Sequence, residues 1–446
     1  MATETAHSVA GSSAELNSAN QKKRMVVAAI VVAVGVFGVT LPQFQVLGLI
    51  PLKNLLKNSL HENLASTAAF FFWVQFAWYF KPFFGIITDA FPFLGTRRKS
   101  YMLIGAVLTM AAFVMLIFTP HTYNRLLTIC IAINVFMVLT STAVGGLMVE
   151  TGQAFGATGR LASVFNFVSQ GTYIVAGPLG GFLGAIAFGW TAAAGGAAMF
   201  LVVPTTLLLL HERRRRVDSK KLLSEAGAQL KKIANAKTMW TAAAFSALFY
   251  WAPGIMTAEF YQQQNVMHLN TEGQGVLMLL QGVFAVIAAT LYGTYFCRHF
   301  KLRWLLAVCI AVGALSQFGY AFYTTFHRAW FIDSFYGLGW TAADMSIMDL
   351  AMRATPAGSE ALGFSLMMSV RNLSLFGSDW VGAKIMDIYH LHLSTMAIAN
   401  GLVSLVAVPF VFVLPGFIVD RMDAAQLSAA QAPETGQAVL QEQSEG

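Results

Sequence analysis

Two ionisable residues stand inside long apolar stretches of this sequence: Asp344, within residues 329–350, and Arg371, within residues 362–386. An isolated charge at the middle of a bilayer costs at least about 2.5 kcal/mol, so such residues face a partner or water. The spacing predicts that Asp344 and Arg371 neutralise each other across neighbouring helices, or meet opposite charges on a bound solute. A static structural ion pair is the competing reading. Asp344 is also the candidate to carry a coupling proton, since burial favours the neutral carboxyl and Arg371 favours the carboxylate.

Other polar residues recur at helical spacing in the same kind of setting. Asn134, Ser141, Thr142 and Gly145 share one face, and Asn166, Gln170, Tyr173 and Gly177 share another. Asp333, Gly337, Thr341 and Asp344 form a third stripe with Trp340 beside it, and Arg371, Ser374 and Ser378 form a fourth. Single Ser, Thr, Asn or Gln residues in lipid also serve to tie helices together. Four stripes facing one another describe a wet central cavity. Its predicted solute-contacting residues are Asn134, Asn166, Gln170, Tyr173, Trp340, Asp344 and Arg371.

Twelve elements must position these side chains. The 446 residues are 57% hydrophobic and only 11% charged, against about a quarter charged in a soluble domain. Apolar runs of roughly 20 residues, enough to cross a bilayer as a helix, recur from Met25 to Val419. They predict an all-α integral membrane protein with spans near 25–50, 64–87, 101–119, 126–149, 161–185, 188–210, 238–258, 273–296, 304–324, 329–350, 362–386 and 395–418. The expected organisation is a disordered tail (1–24), a six-helix bundle (25–210), an amphipathic linker (211–237), a second six-helix bundle (238–419) and a disordered tail (420–446). Residues 1–24 contain no apolar core, which argues against a cleaved signal peptide.

The net charge of +7 lies in short joints, so it predicts topology and not nucleic-acid binding. Lys22, Lys23, Arg24, Arg97, Arg98, Lys99, Arg160, Arg213–Arg216, Arg298, Lys301, Arg303 and Arg353 fall on one side. By the positive-inside rule that side, with both termini, is cytoplasmic. Residues 51–63 place Leu52, Leu55, Leu56 and Leu60 on one face and Lys53 and Lys57 on another, which predicts a helix lying on the outer interface. Leu222, Leu223, Ala226, Leu230 and Ile233 form a similar stripe in the linker, suited to couple the halves or to anchor. Cys130, Cys297 and Cys309 have no metal spacing and read as buried thiols.

At the end of the second span the chain reads Lys81-Pro82-x-x-Gly85-x-x-x-Asp89-x-x-Pro92-x-x-Gly95-x-Arg97-Arg98. Gly85 would permit close helix approach, Pro92 and Gly95 a turn, and Asp89 with Arg97 and Arg98 a latch at the seam between halves. Gly293 leads to Arg298 and Arg303 at the matching place in the second half, a weak internal repeat of the kind transporters carry. The motif resembles the joint 2–3 signature of the major facilitator superfamily and, in its longer form, the folate-biopterin transporter family. Pro356-x-Gly358-x-Glu360-Ala361, Asn372 and Glu150 add to the likeness. The resemblance implies twelve helices, alternating access, gating by Lys81, Gly85, Asp89, Arg97, Arg98 and Glu150, and proton-driven uptake of folates or pterins. One departure bears on the substrate: residues 142–149 lack the acidic residue that the family tends to place there.

The leading expectation is therefore a secondary transporter in a bacterial inner membrane, taking a flat and often anionic heteroaromatic. Carriers of muropeptides, peptides or drugs share the same machinery, and a non-transporting assembly factor or sensor is the reading from another class. No His/Cys/Glu cluster has metal spacing and no P-loop occurs, so neither an enzyme nor a cofactor is expected.

Overall fold

The computed structural model describes residues 25–93, 95–154, 158–212, 219–356 and 358–420. Both predicted tails otherwise lie outside the described residues, as do Arg213–Arg216. Within the described residues the chain is helical, with one isolated bridge between Phe93 and Thr96 and no strand.

Twelve spans cross the molecule. Span 1 is Met25–Thr40 followed, after irregular residues 41–48, by Leu49–Asn54 and a wider turn to Ser59. Span 2 comes in three pieces, Leu64–Val74, Phe76–Tyr79 and Lys81–Ala90. Spans 3 to 6 are Lys99–Phe118, Tyr123–Ala154, Thr158–Gly184 and Phe188–Phe200 with Val202–Leu209. Span 7 is Lys237–Tyr250 and Met256–Asn265, and span 8 is Thr271–Leu291, carried on by a wide turn to His299. Spans 9 to 12 are Leu302–Phe318, Phe326–Ala354, Glu360–Tyr389 and Leu393–Phe410.

Six stretches satisfy simple length and apolarity for crossing a bilayer: spans 3, 4, 6, 8, 9 and 12. The other six are broken or polar, and every one of them borders the central cavity described below. Pro82 explains one break, because it lacks an N–H and its ring clashes with the preceding turn. Pro253 and Gly254 sit in the gap of span 7. The lipid-side surface carries exposed Phe118, Trp190, Phe331 and Val413, an apolar exposure that water would not tolerate over so wide an area.

The two halves repeat each other in backbone detail. His61 and His268, at matching places, both take the left-handed conformation (φ 54° and 52°), which His adopts more readily than most residues. Two residues on, Asn63 and Asn270 cap spans 2 and 8 by accepting from Ser66 N and Gly273 N, each at 2.8 Å. On the basic side, the Glu212 carboxylate accepts from the backbone N–H groups of Arg97 (2.7 Å), Arg98 (3.0 Å) and Lys99 (2.8 Å), capping span 3. Its counterpart Asp420 pairs with Arg303 at 2.8 Å beside the start of span 9, and that guanidinium holds the Asp420 carboxyl below the usual range. Lys99, which the sequence marks only as a topology signal, also donates to the last carbonyls of span 6, Leu210 O at 2.8 Å and Leu207 O at 3.2 Å.

Two expectations change, and one open alternative is narrowed. Residues 49–59 do not lie on the membrane interface: they turn into the bundle, with Leu52 and Leu56 fully buried and Lys53 1% exposed. The leucine stripe faces protein and not lipid. Gly85 has open space where a Cβ would be, so it borders the cavity without bringing two helices together. The linker helix, Ser219–Ala234, lies over span 2 and span 11 with Ile233 buried, so its stripe bridges both halves.

Candidate functional site

A cavity of about 1270 Å³ lies between the halves, above the 300–1,000 Å³ usual for small-molecule sites. It runs from Asp89, Arg98, Glu150 and the linker's Glu225 on the basic side to Lys53, Glu259 and Gln263 towards the far side. The far end is tied shut by bonds that cross between halves. Lys57 Nζ donates to Gln264 Oε1 at 2.9 Å and to Asn265 Oδ1 at 2.5 Å. Asp387 Oδ2 accepts from Ala65 N at 2.8 Å, and Thr67 and Tyr261 hydroxyls lie 2.9 Å apart.

At the C-terminal half's wall, Arg371 Nε donates to Asp344 Oδ1 at 2.7 Å, and the Tyr250 hydroxyl donates to the same oxygen at 2.5 Å. The guanidinium lies 5.3 Å from the Tyr250 ring centre, a cation–π contact. The Trp340 indole stacks with Phe249 (5.4 Å, 26°) and with Tyr336 (5.8 Å, 21°). A charged hydrogen-bonding group and a flat aromatic ledge therefore stand side by side. Among the residues singled out from sequence, Gln170, Tyr173, Trp340, Asp344 and Arg371 border this cavity. The Asn166 side chain lies outside the described residues.

Asn134 is a correction: it is 1% exposed and does not border the cavity. Its Oδ1 accepts from the Trp78 indole N–H at 2.7 Å, and its Nδ2 donates to Cys130 O at 3.2 Å. Trp78 in turn lies beneath the Lys81 ammonium, 5.0 Å from the ring centre, and Lys81 donates to Ser141 Oγ at 3.1 Å. Asp333 is a second correction to the stripes. It is sealed behind the wall, accepting from Tyr320 and Tyr323 hydroxyls at 2.7 Å each.

The motif residues form one ion-pair chain. Asp89 Oδ1 lies 2.6 Å from Arg98 and 3.3 Å from Arg97, and Arg98 Nη2 lies 2.8 Å from Glu150. All four belong to the N-terminal half, so these pairs join spans 2, 3 and 4 and do not bridge the seam. Gly146 lets the Arg98 guanidinium rest on span 4, where any Cβ would strike it. The left-handed Gly95 (φ 81°) makes the turn that brings Arg98 back to Asp89.

Sequence reasoning passed over a charged cluster at the far end of the cavity. Lys53 Nζ donates to Met256 O at 2.9 Å and sits between the Phe71 and Phe260 rings. The acids it faces electrostatically, Asp379 and Glu259, both belong to the other half. Asp379 accepts from Thr257 N at 3.0 Å and Thr257 Oγ1 at 2.6 Å. Glu259 accepts from Gln263 Nε2 at 3.1 Å. Asp379 stands well inside span 11 and was visible on the ground that exposes Asp344. Glu259 was hidden because the Pro253-Gly254 break makes residues after 258 read as a joint.

With this geometry in view, comparison with known proteins gives a family. The sequence profile of the BT1 family matches residues 46–432. The chain belongs to the BT1 family. Relatives include the folate-biopterin transporter of Synechocystis, 23% identical over 363 residues (76% of this chain, 72% of that one). The probable folate-biopterin transporter 2 of Arabidopsis thaliana is 20% identical over 408 residues (82% and 77%). Among solved structures, a D-xylose–proton symporter aligns with a TM-score of 0.65 at 13% identity, covering 87% of this chain and 97% of its own. A nucleoside transporter aligns equally well, at 14% identity (89% and 99%). This BT1-family protein thus has the twelve-helix major facilitator fold in two six-helix bundles, and by its family it is a multi-pass membrane transporter.

Proposed function

We propose that this transporter carries a flat heteroaromatic solute of the folate or pterin class, by alternating access and with protons as the coupling ion. The observation that carries the reading is the Trp340 ledge beside Arg371, Asp344 and Tyr250 in the cavity wall. A fused ring can stack on such a ledge, and a guanidinium can meet a carboxylate or ring oxygen. Proton uptake by Asp344 would remove the charge that holds Arg371 and free the guanidinium for the solute. Gln170 and Tyr173 would complete the contact from span 5. The names of the two relatives support the solute class.

Gating follows from the same cavity. Asp89, Arg97, Arg98 and Glu150 keep spans 2, 3 and 4 together as one body while the halves rock, and Lys81 and Gly85 face the path. The basic side is read as cytoplasmic, with both termini there and a bacterial inner membrane as host.

Uptake of labelled folate and of a reduced pterin into proteoliposomes tests this, with and without an imposed inward proton gradient. Saturable uptake that rises with the gradient, and that loses its gradient response in Asp344→Asn, is the expected result. Vesicles holding folded protein that take up neither compound would move the cargo to another small organic solute.

A further inference from the structure

The cavity presents several cations, and most are already answered. Arg371 has Asp344, Arg97 and Arg98 have Asp89 and Glu150, and Lys53 has the Met256 carbonyl with Asp379 and Glu259 nearby. Lys81 differs. It borders the cavity, yet among the described residues no carboxylate pairs with it. Its ammonium has three donors, of which the structure uses one, to the Ser141 hydroxyl at 3.1 Å.

Lys81 is half-buried, and an ammonium even partly withdrawn from bulk water without a counter-charge is costly. It is also held in place, which a stray lysine would not be. The Trp78 ring lies under it, and Asn134 fixes that ring. Lys81 opens the helical piece that follows the break in span 2, with Pro82 behind it, so its backbone is set by the break.

We infer that Lys81 is an anion-recognising residue of the cavity, and that it selects carboxylate-bearing substrates over neutral ones. The inference rests on the carrier reading above and narrows it to heteroaromatic acids. Lys81 belongs to the N-terminal half and the Trp340–Arg371 wall to the C-terminal half. A solute with a ring on the ledge and a carboxylate on Lys81 would touch both halves, which links occupancy to closure. Ser141 shares the carboxylate, and Asn134 acts through Trp78 as a positioning residue.

The experiment compares two probes with the same ring in proteoliposomes: folate, which carries carboxylates, and biopterin, which carries none. Lys81→Met is expected to raise KM for folate by about tenfold or more, the worth of a charge-assisted hydrogen bond, while leaving KM for biopterin unchanged. Lys81→Arg should keep much of the preference, and Asn134→Leu should lose part of it. A uniform fall in maximal rate for both probes, with their KM ratio intact, would overturn the inference and make Lys81 a gating residue. If the wild-type protein carries neither probe, the folate reading fails and Lys81 is examined by binding alone. Then 4-aminobenzoate should raise the unfolding temperature of the purified wild-type protein more than 4-aminobenzamide does, and Lys81→Met should erase that difference. Equal shifts in both proteins would overturn the inference.

Discussion

Asp344 and Arg371 each keep the other's charge tolerable, and this has a measurable signature. Removing one member of a fully buried pair costs about 3–5 kcal/mol, because the survivor is left uncompensated. Here 19% of the Arg371 side chain and 15% of Asp344 remain exposed, so the penalty should be smaller. Asp344→Asn and Arg371→Gln are each expected to lower the unfolding temperature in detergent. The double variant should recover most of that loss without recovering transport. A double variant as unstable as the sum of the singles would show that the pair contributes no mutual neutralisation. Gly146 makes a contrasting case. Its neighbour is the flexible end of Arg98, so Gly146→Ala should leave folded yield near normal while displacing the guanidinium from Asp89 and Glu150. Transport rate should fall severalfold with little change in unfolding temperature. Asp344 and Arg371 were legible because a charge inside an apolar run demands a reason. Asn134 misled because periodicity assigns a face and cannot say whether that face meets water or an indole N–H. Lys53 misled because a lysine opposite a leucine stripe reads as the polar face of an interfacial helix, when its real partners come from spans 7 and 11.

At the level of elements, spans 5 and 8 bring backbone close to backbone across the halves. Gly177 and Gly181, one turn apart, face Thr271 and Gly275, so that a Cβ on Gly275 would stand 2.6 Å from the Gly177 carbonyl oxygen. Small residues at four-residue spacing are how helices pack in lipid, where burial supplies no driving force between them. The obstacle is backbone, which cannot swing aside as Arg98 can. Gly275→Ala is therefore expected to cost about 1–3 kcal/mol, the usual range for overpacking, and should show as lower folded yield and a lower unfolding temperature. Unchanged stability would mean that spans 5 and 8 can separate freely. The long unbroken spans were readable from hydropathy alone, since twenty apolar residues admit few alternatives. The breaks in spans 1, 2 and 7 were not. Pro42, Pro82 and Pro253-Gly254 mark three of the breaks, and the one at Gln75 in span 2 has no comparable marker.

The whole molecule is two copies of one plan, and the repeat was partly written in the sequence. His61-Glu62-Asn63 and His268-Leu269-Asn270 mark the same left-handed turn and helix cap in each half, a firmer sign than the Gly85 and Gly293 match. What a repeat cannot reveal is which contacts between halves are closed, because that depends on side chains with no counterpart in the other copy. Lys57 is one of these. Its two bonds, to Gln264 and Asn265, lie at the far end of the cavity, whereas the ion pairs of the basic side each stay within one half. The closed far side thus rests on cross-half bonds, and weakening them should favour the alternative opening. Each exposed or half-exposed bond contributes on the order of 0.5–1.5 kcal/mol, so losing both in Lys57→Ala should shift the ratio of the two forms by roughly five- to 150-fold. A cysteine placed at Gln45, which borders the cavity, would report this through its labelling rate by a membrane-impermeant reagent added from the far side. Faster labelling in Lys57→Ala is the expected outcome. An unchanged rate would mean that the Thr67–Tyr261 and Ala65–Asp387 contacts hold the far side closed by themselves, and that Lys57 is a surface contact with no part in the cycle.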